Sequence, residues 1–383
     1  MRRVLVLRAT TAALVAAFAS TTIAAAAGIK WTAFEPPHRS GRTVTAFAAR
    51  SSSDAWAVGL KPSFGLCQYA TLAEHWDGAA WTVVDSPSDA KTNYVFDSVA
   101  VVGKNEAWAV GSFGCPDRQG NAHSSTLTEH WDGRSWSVVH SPNGGPTGKW
   151  FSGLHSVTAI TTDNVWAAGL TIKPSSDPTK PGTAYPLIEH WDGKRWSIVA
   201  APKGALGGLE SISSTSASDV WAVGGTEISP VTTLALHFDG SSWSRLPLPT
   251  VPNTTAAFFS VKATSRNDAW AVGKWFPTSG NGQILIDHWD GKSWTVVKNL
   301  PTVGPTGSET HLFSVDAASG TGVWAVGGWS SDAGANAIAI HWTGTAWVQA
   351  PAPATNEFFA LAVLPNNELF TSDVGTIFLG QVS

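Results

Sequence analysis

Three polar residues of unlike chemistry, Asp97, His155 and Glu210, share one position in a repeating pattern. Each stands eleven residues ahead of a tryptophan, Trp108, Trp166 or Trp221, within the recurring phrase AWAVG, VWAAG or VWAVG. Carboxylates and an imidazole are the groups that hold a divalent cation, exchange protons with a substrate, or bond a ligand's hydroxyls. Elsewhere in the chain the same position is Thr45, Phe259, Phe313 or Phe359. Whatever ring the pattern builds therefore has a polar arc and an apolar arc. A channel lining bonded only to water and backbone accounts for the same residues without any ligand.

Two further sets carry chemistry. Trp150, Trp275 and Trp329 are the only tryptophans outside three repeated positions, and exposed rings of this kind stack on sugar faces. Covering apolar surface at a rim is the plainer role for them. Cys67 and Cys115 are the only cysteines. They fall in matching loops of neighbouring repeats, which predicts a disulfide in an oxidising compartment.

Much familiar chemistry is missing. There is no G-x-S-x-G, H-E-x-x-H, EF-hand loop or dinucleotide glycine pattern. The stretch GGPTGKW (144–150) departs from a phosphate loop, because Asn143 and Trp150 stand where Gly and Ser or Thr are required. The sialidase Asp-box is missed by spacing, since the turn here reads Asp-Gly-x-x-Trp. The arginines also share no strand position. Radical-copper oxidation needs tyrosine ligands, and only Tyr69, Tyr94 and Tyr185 exist.

The elements that must position these residues are strands. In the unit 258–298 four runs stand out, FFSVKATS, DAWAVGKW, QILIDHWD and SWTVVKN. Each is rich in β-branched or aromatic residues and is bounded by turn residues. Seven copies are centred on Trp56, Trp108, Trp166, Trp221, Trp270, Trp324 and, degenerately, Phe370, between 46 and 58 residues apart. Four strands at such a period describe a propeller blade. The last copy lacks its fourth strand, and KWTAFEPP near the N-terminus supplies an orphan fourth strand whose Trp31 matches Trp81, Trp136 and their equivalents. The prediction is an all-β, seven-bladed propeller with four antiparallel strands per blade, closed by the strand around Trp31, as one domain over 28–383.

The HWDG phrase is then scaffold. Asp-Gly is a hairpin-turn pair, and each repeated aromatic buries about 150–250 Å² where blades meet. Six equivalent histidines around a ring are too far apart to share a metal. Function is expected on the opposite face, where loops such as SFGCPDRQGNAHSS and NLPTVGPTGSETH are long and irregular.

AWAVGG followed by HWDGKRW resembles the kelch repeat and the secreted bacterial propellers called galactose-oxidase-like. The resemblance spans the mature chain. It implies the fold and says little of function, because such propellers include enzymes, lectins and adaptors.

Residues 1–27 read as a secretory signal peptide, with Arg2 and Arg3, an apolar middle at Ala12–Ala19 and an alanine-rich end at Ala24–Ala27. The chain carries a formal charge of −4, and loss of Arg2, Arg3 and Arg8 makes it more negative. That argues against nucleic acid or an anionic membrane surface as partner. The sequence thus predicts a secreted, extracellular, monomeric and non-catalytic binding propeller. A carbohydrate or cell-surface glycan is the leading ligand, stacked by Trp150, Trp275 and Trp329 and bonded by Asp97, His155 and Glu210. No cofactor is required, although the polar trio could take a divalent cation. The alternatives are a polysaccharide hydrolase or lyase using the trio, and a protein–protein interaction scaffold.

Overall fold

A computed structural model describes residues 20–23, 28–34, 41–63, 68–88, 92–115, 124–147, 149–177, 179–226, 231–249, 255–318, 322–332 and 334–382. Every described regular element is a β-strand. Six sheets of four antiparallel strands follow one another, and a seventh joins the two ends of the chain. The innermost strands, in blade order, are Thr43–Ser51, Asn93–Gly103, Phe151–Thr161, Gly208–Ser216, Thr255–Ser265, Glu309–Ala317 and Ala360–Val363. In blade 7 the outer strand is Ile29–Phe34, paired with Ile377–Val382 so that Trp31 lies opposite Gly380. The molecule is the seven-bladed propeller the repeats predict. Ser20–Ile23, inside the expected leader, adds a fifth strand against Ile29–Phe34. Most of the leader lies outside the described residues.

Seven buried apolar clusters bridge neighbouring blades, one at each boundary. At six of them a second-strand ring meets two aromatics of the next blade. Trp108 lies 4.8 Å from Trp191 and 5.2 Å from Trp196, and Trp270 lies 5.1 Å from Trp342 and 5.3 Å from Trp347. Phe370 of blade 7 repeats this with Trp76 and Trp81 of blade 1, which closes the ring.

The structure also shows why HWDG recurs. Its histidine stacks on the second-strand tryptophan of its own blade, as His237 does on Trp221 at 4.2 Å. The far nitrogen bonds the residue two before that tryptophan: His75 to Asp54 at 2.9 Å, His190 to Asn164 at 2.9 Å, His237 to Asp219 at 2.7 Å. The aspartate of the turn accepts two backbone amides, Asp132 from Arg134 and Ser135 at 2.8 and 2.9 Å. Gly133 takes a φ of 90° there, a left-handed conformation that other residues adopt at a cost. Blade 7, whose fourth strand comes from the N-terminus, uses a similar aspartate between its second and third strands, where Asp373 accepts the amides of Gly375 and Thr376.

Candidate functional site: the channel mouth

The seven innermost strands surround a central cavity of about 450 Å³. Six of them carry a register shift at one place, between Val44 and Ala46, Phe96 and Ser98, Leu154 and Ser156, Leu209 and Ser211, Phe258 and Ser260, Leu312 and Ser314. The residues skipped are Thr45, Asp97, His155, Glu210, Phe259 and Phe313. Each is the extra residue of a β-bulge, a device that re-aims a side chain, and each lines the channel.

The repeated glycine of the AWAVG phrase makes the bulge possible. A Cβ on Gly111 would run into the carbonyl oxygen of Val95, and Gly59, Gly169, Gly224, Gly273 and Gly327 meet the equivalent oxygen in their blades. The obstructing atom is backbone, so it cannot swing aside. Gly111→Ala is expected to cost ~1–3 kcal/mol, the usual toll of overpacking, and to displace Asp97. Urea denaturation checks the first effect, and the chemical shifts of Asp97 and Ser98 the second.

The mouth has the two arcs read from the sequence. His155 Nδ1 lies 3.0 Å from Glu210 Oε2, so blades 3 and 4 are joined by a polar pair. Asp97 keeps partial access to the channel, but surrounding protein pushes its carboxyl up to about 6. Burial is the largest cause. The nearby His155 works in the opposite direction, and Glu210 adds to the rise. Thr45 is committed to the scaffold, donating to the carbonyl of Phe96 at 2.8 Å. Across the channel the rings of Phe259, Phe313 and Phe359 form a continuous arc, with centroids 5.7 and 5.4 Å apart. Deeper in, Lys262 and Asp316 pair at 2.7 Å.

Beside the apolar arc lies a group the sequence reading missed. His311, two residues ahead of Phe313, is buried and stands 3.2 Å from Glu357 at ion-pair distance. Burial holds its imidazole below the ordinary range, and Glu357 resists that shift. Lys274 and Glu309 pair at 2.6 Å nearby. A scaffold detail was missed as well. Ser98, Ser156, Ser211 and Ser260, each just after a mouth residue, accept a backbone amide from the next blade at 3.1–3.2 Å. The recurring Ser-Val or Ser-Ile pair after the mouth residue is the signal that could have found it.

The three irregular tryptophans do not gather at this mouth. Trp150 is half-buried, packs over Gly145 and has the Lys173 ammonium 5.9 Å from its ring centre. Trp275 and Trp329 lie within the second strands Asp268–Phe276 and Val323–Ser331, where they pack against the cores of adjoining blade boundaries. Cys115 is disulfide-bonded. Cys67 lies outside the described residues. Among the described residues no group of three or more His, Cys, Asp and Glu side chains is arranged to hold a metal ion. Among the described residues there is no helix long and apolar enough to cross a membrane.

No protein-family model matches the chain, and no curated protein matches it. Solved structures do. The structure of YCF48 bound to D1 peptide aligns over 91% of this chain and 94% of its own, at 16% identity and a TM-score of 0.54. For streptogramin B lyase the coverage is 93% and 98%, with 11% identity and a TM-score of 0.58. The WD40 β-propeller domain of Doa1 covers 95% and 97%, with 10% identity and a TM-score of 0.52. What they share with this chain is the propeller fold. At such identities the likeness reaches no further, and it singles out neither kelch proteins nor galactose oxidase.

Proposed function

We propose that the chain is an exported, non-catalytic binding propeller that takes a carbohydrate or cell-surface glycan at the channel mouth, residues 1–27 being removed on export. One observation carries the reading: a hydrogen-bonding arc of Asp97, His155 and Glu210 faces an arc of three phenylalanine rings across a single opening. A pyranose has the matching character, with hydroxyls around its edge and an apolar C–H face. The phenylalanines stack at the mouth, and Trp275 and Trp329, packed in part against blade boundaries, would serve as contacts away from it. Trp150, with Lys173 beside it, remains an outer contact for a longer glycan.

A second reading has one observation behind it. A propeller of the same fold is seen with a peptide, and an amphipathic mouth also suits an extended peptide with alternating polar and apolar side chains. The catalytic alternative would use Asp97 as the proton donor, because its carboxyl is held near 6, with the His155–Glu210 pair opposite.

The test is binding of the full mature protein to a panel of glycans and cell-wall polysaccharides, beside Glu210→Gln and Phe313→Ala variants shown to be folded. Glycan binding weakened about tenfold or more by each change is the expected result. Binding that survives both changes moves the site off the mouth. Release of reducing ends, abolished by Asp97→Asn, replaces the binding reading with the enzymatic one.

A further inference from the structure

The third strands carry an acid immediately before the histidine in four blades: Glu74, Glu129, Glu189 and Asp287. All four are buried, where a bare carboxylate is costly. Three have company. Arg42 bonds Glu74 at 2.8 Å. Ser86, at the end of blade 1, donates to Glu129 of blade 2 at 3.0 Å. Ser141 occupies the same place at the end of blade 2 beside Glu189 of blade 3, but its hydroxyl donates to Thr126 at 2.7 Å and neither Glu189 oxygen has a hydrogen-bond partner. Both serines come five residues after the outer-strand tryptophan, Trp81 or Trp136.

That position and the next blade's acid position match at the first three boundaries. At the end of blade 3 the serine is replaced by Ala201, and the acid it would serve is Leu236; the two share one apolar cluster. The boundary between blades 4 and 5 breaks the rule. Leu248 stands in the serine's place, yet the facing residue is still an acid, Asp287. Its residue exposure is 3%, and Oδ1 has no hydrogen-bond partner.

The mismatch coincides with a cavity. Between these blades lies a space of about 540 Å³, walled by Leu246, Leu248, Pro249, Leu285 and Val296, with Asp287 in its lining. That is within the usual size of a small-molecule site, and an apolar wall with one convergent polar group is the usual make-up. Arg245 also borders it but is exposed and forms no ion pair with Asp287 among the described residues.

We propose that this cavity is a second ligand site, for a small apolar molecule bearing a protonated amine that bonds Asp287. The ammonium supplies to Asp287 the donors and the countercharge that Arg42 supplies to Glu74, and the ligand's apolar body covers the leucines and the proline. Burial alone pushes the Asp287 carboxyl up to about 7, so a cation delivered to this atom gains more than it would at an exposed acid.

The probes are phenethylamine and its near-isostere 2-phenylethanol, titrated calorimetrically into the full-length protein. Phenethylamine should bind at least about tenfold more tightly than the alcohol. Asp287→Asn, which keeps size and loses charge, should abolish that preference. Leu248→Ser, which restores the hydroxyl of the sister boundaries, should weaken the amine several-fold by giving Asp287 an internal partner. Equal affinities, no binding of either probe, or a preference that persists in Asp287→Asn would each overturn the assignment. The channel is intact in both variants, so amine binding at the Asp97 carboxylate would show itself as the persisting preference.

Discussion

Trp108→Ala is expected to destabilise the protein by ~3–5 kcal/mol, the range for removing a large aromatic from a closed core. The ring is 1% exposed. It meets Trp191 and Trp196 across the boundary between blades 2 and 3, and it stacks on His130 at 4.6 Å within its own blade. Alanine there would open a cavity bordered by elements of two blades, and neither could close it without breaking register with its other neighbour. His130 would also lose the surface that holds it beside Glu106. Trp150→Ala, at a half-buried loop position, should cost less than about 1 kcal/mol. Urea denaturation of the two variants decides the point. A loss below about 2 kcal/mol at Trp108 would mean that the boundaries are looser than their ring geometry implies.

The same repetition governs what the sequence revealed. A scaffold element present in every blade is sampled six or seven times within one chain, so strand order, blade count and the aromatic positions were legible without an alignment. The mouth residues were legible for a related reason. The bulge holds them at a constant offset from the second-strand tryptophan, so departures from the pattern, Asp97, His155 and Glu210 among them, stand out against a fixed frame. Loop residues have no such frame. Trp275 and Trp329 follow the repeated glycine, where the sequence pattern points to a loop, yet the strands continue through them and their rings pack in part against blade cores. His311 and Glu357 lie far apart in sequence and meet only because blades 6 and 7 are neighbours. The acid before the histidine was hidden in another way. In a strand that alternates faces, a polar residue beside a repeated histidine reads as solvent-facing, whereas the linker leaving the previous blade covers this one.

Those covered acids dictate how stability varies with pH. Burial raises the carboxyls of Glu129 and Glu189 to about 8 and that of Asp287 to about 7, from ordinary values of 4.5 and 3.8. In this range the native state holds protons that the unfolded chain has already released. Stability must therefore fall as pH rises from the unfolded values toward the folded ones, by ~1.4 kcal/mol per pH unit for each group fully within its window. The buried histidines pull the other way at lower pH. His190, His311 and His341 are held below their ordinary value by burial, so the native state gains as pH rises through about 6.5, where the unfolded imidazoles are half deprotonated. As that release is completed the carboxylates dominate. The urea midpoint should fall between pH 6.5 and 8, and the combined Glu129→Gln, Glu189→Gln variant should fall less steeply. Glutamine keeps the shape and can still bond Ser86, so the variant's stability relative to the native chain should rise by several kcal/mol between pH 5 and pH 8. A flat native profile above pH 6.5 would mean that water reaches these carboxyls and that the linkers do not seal the blade boundaries.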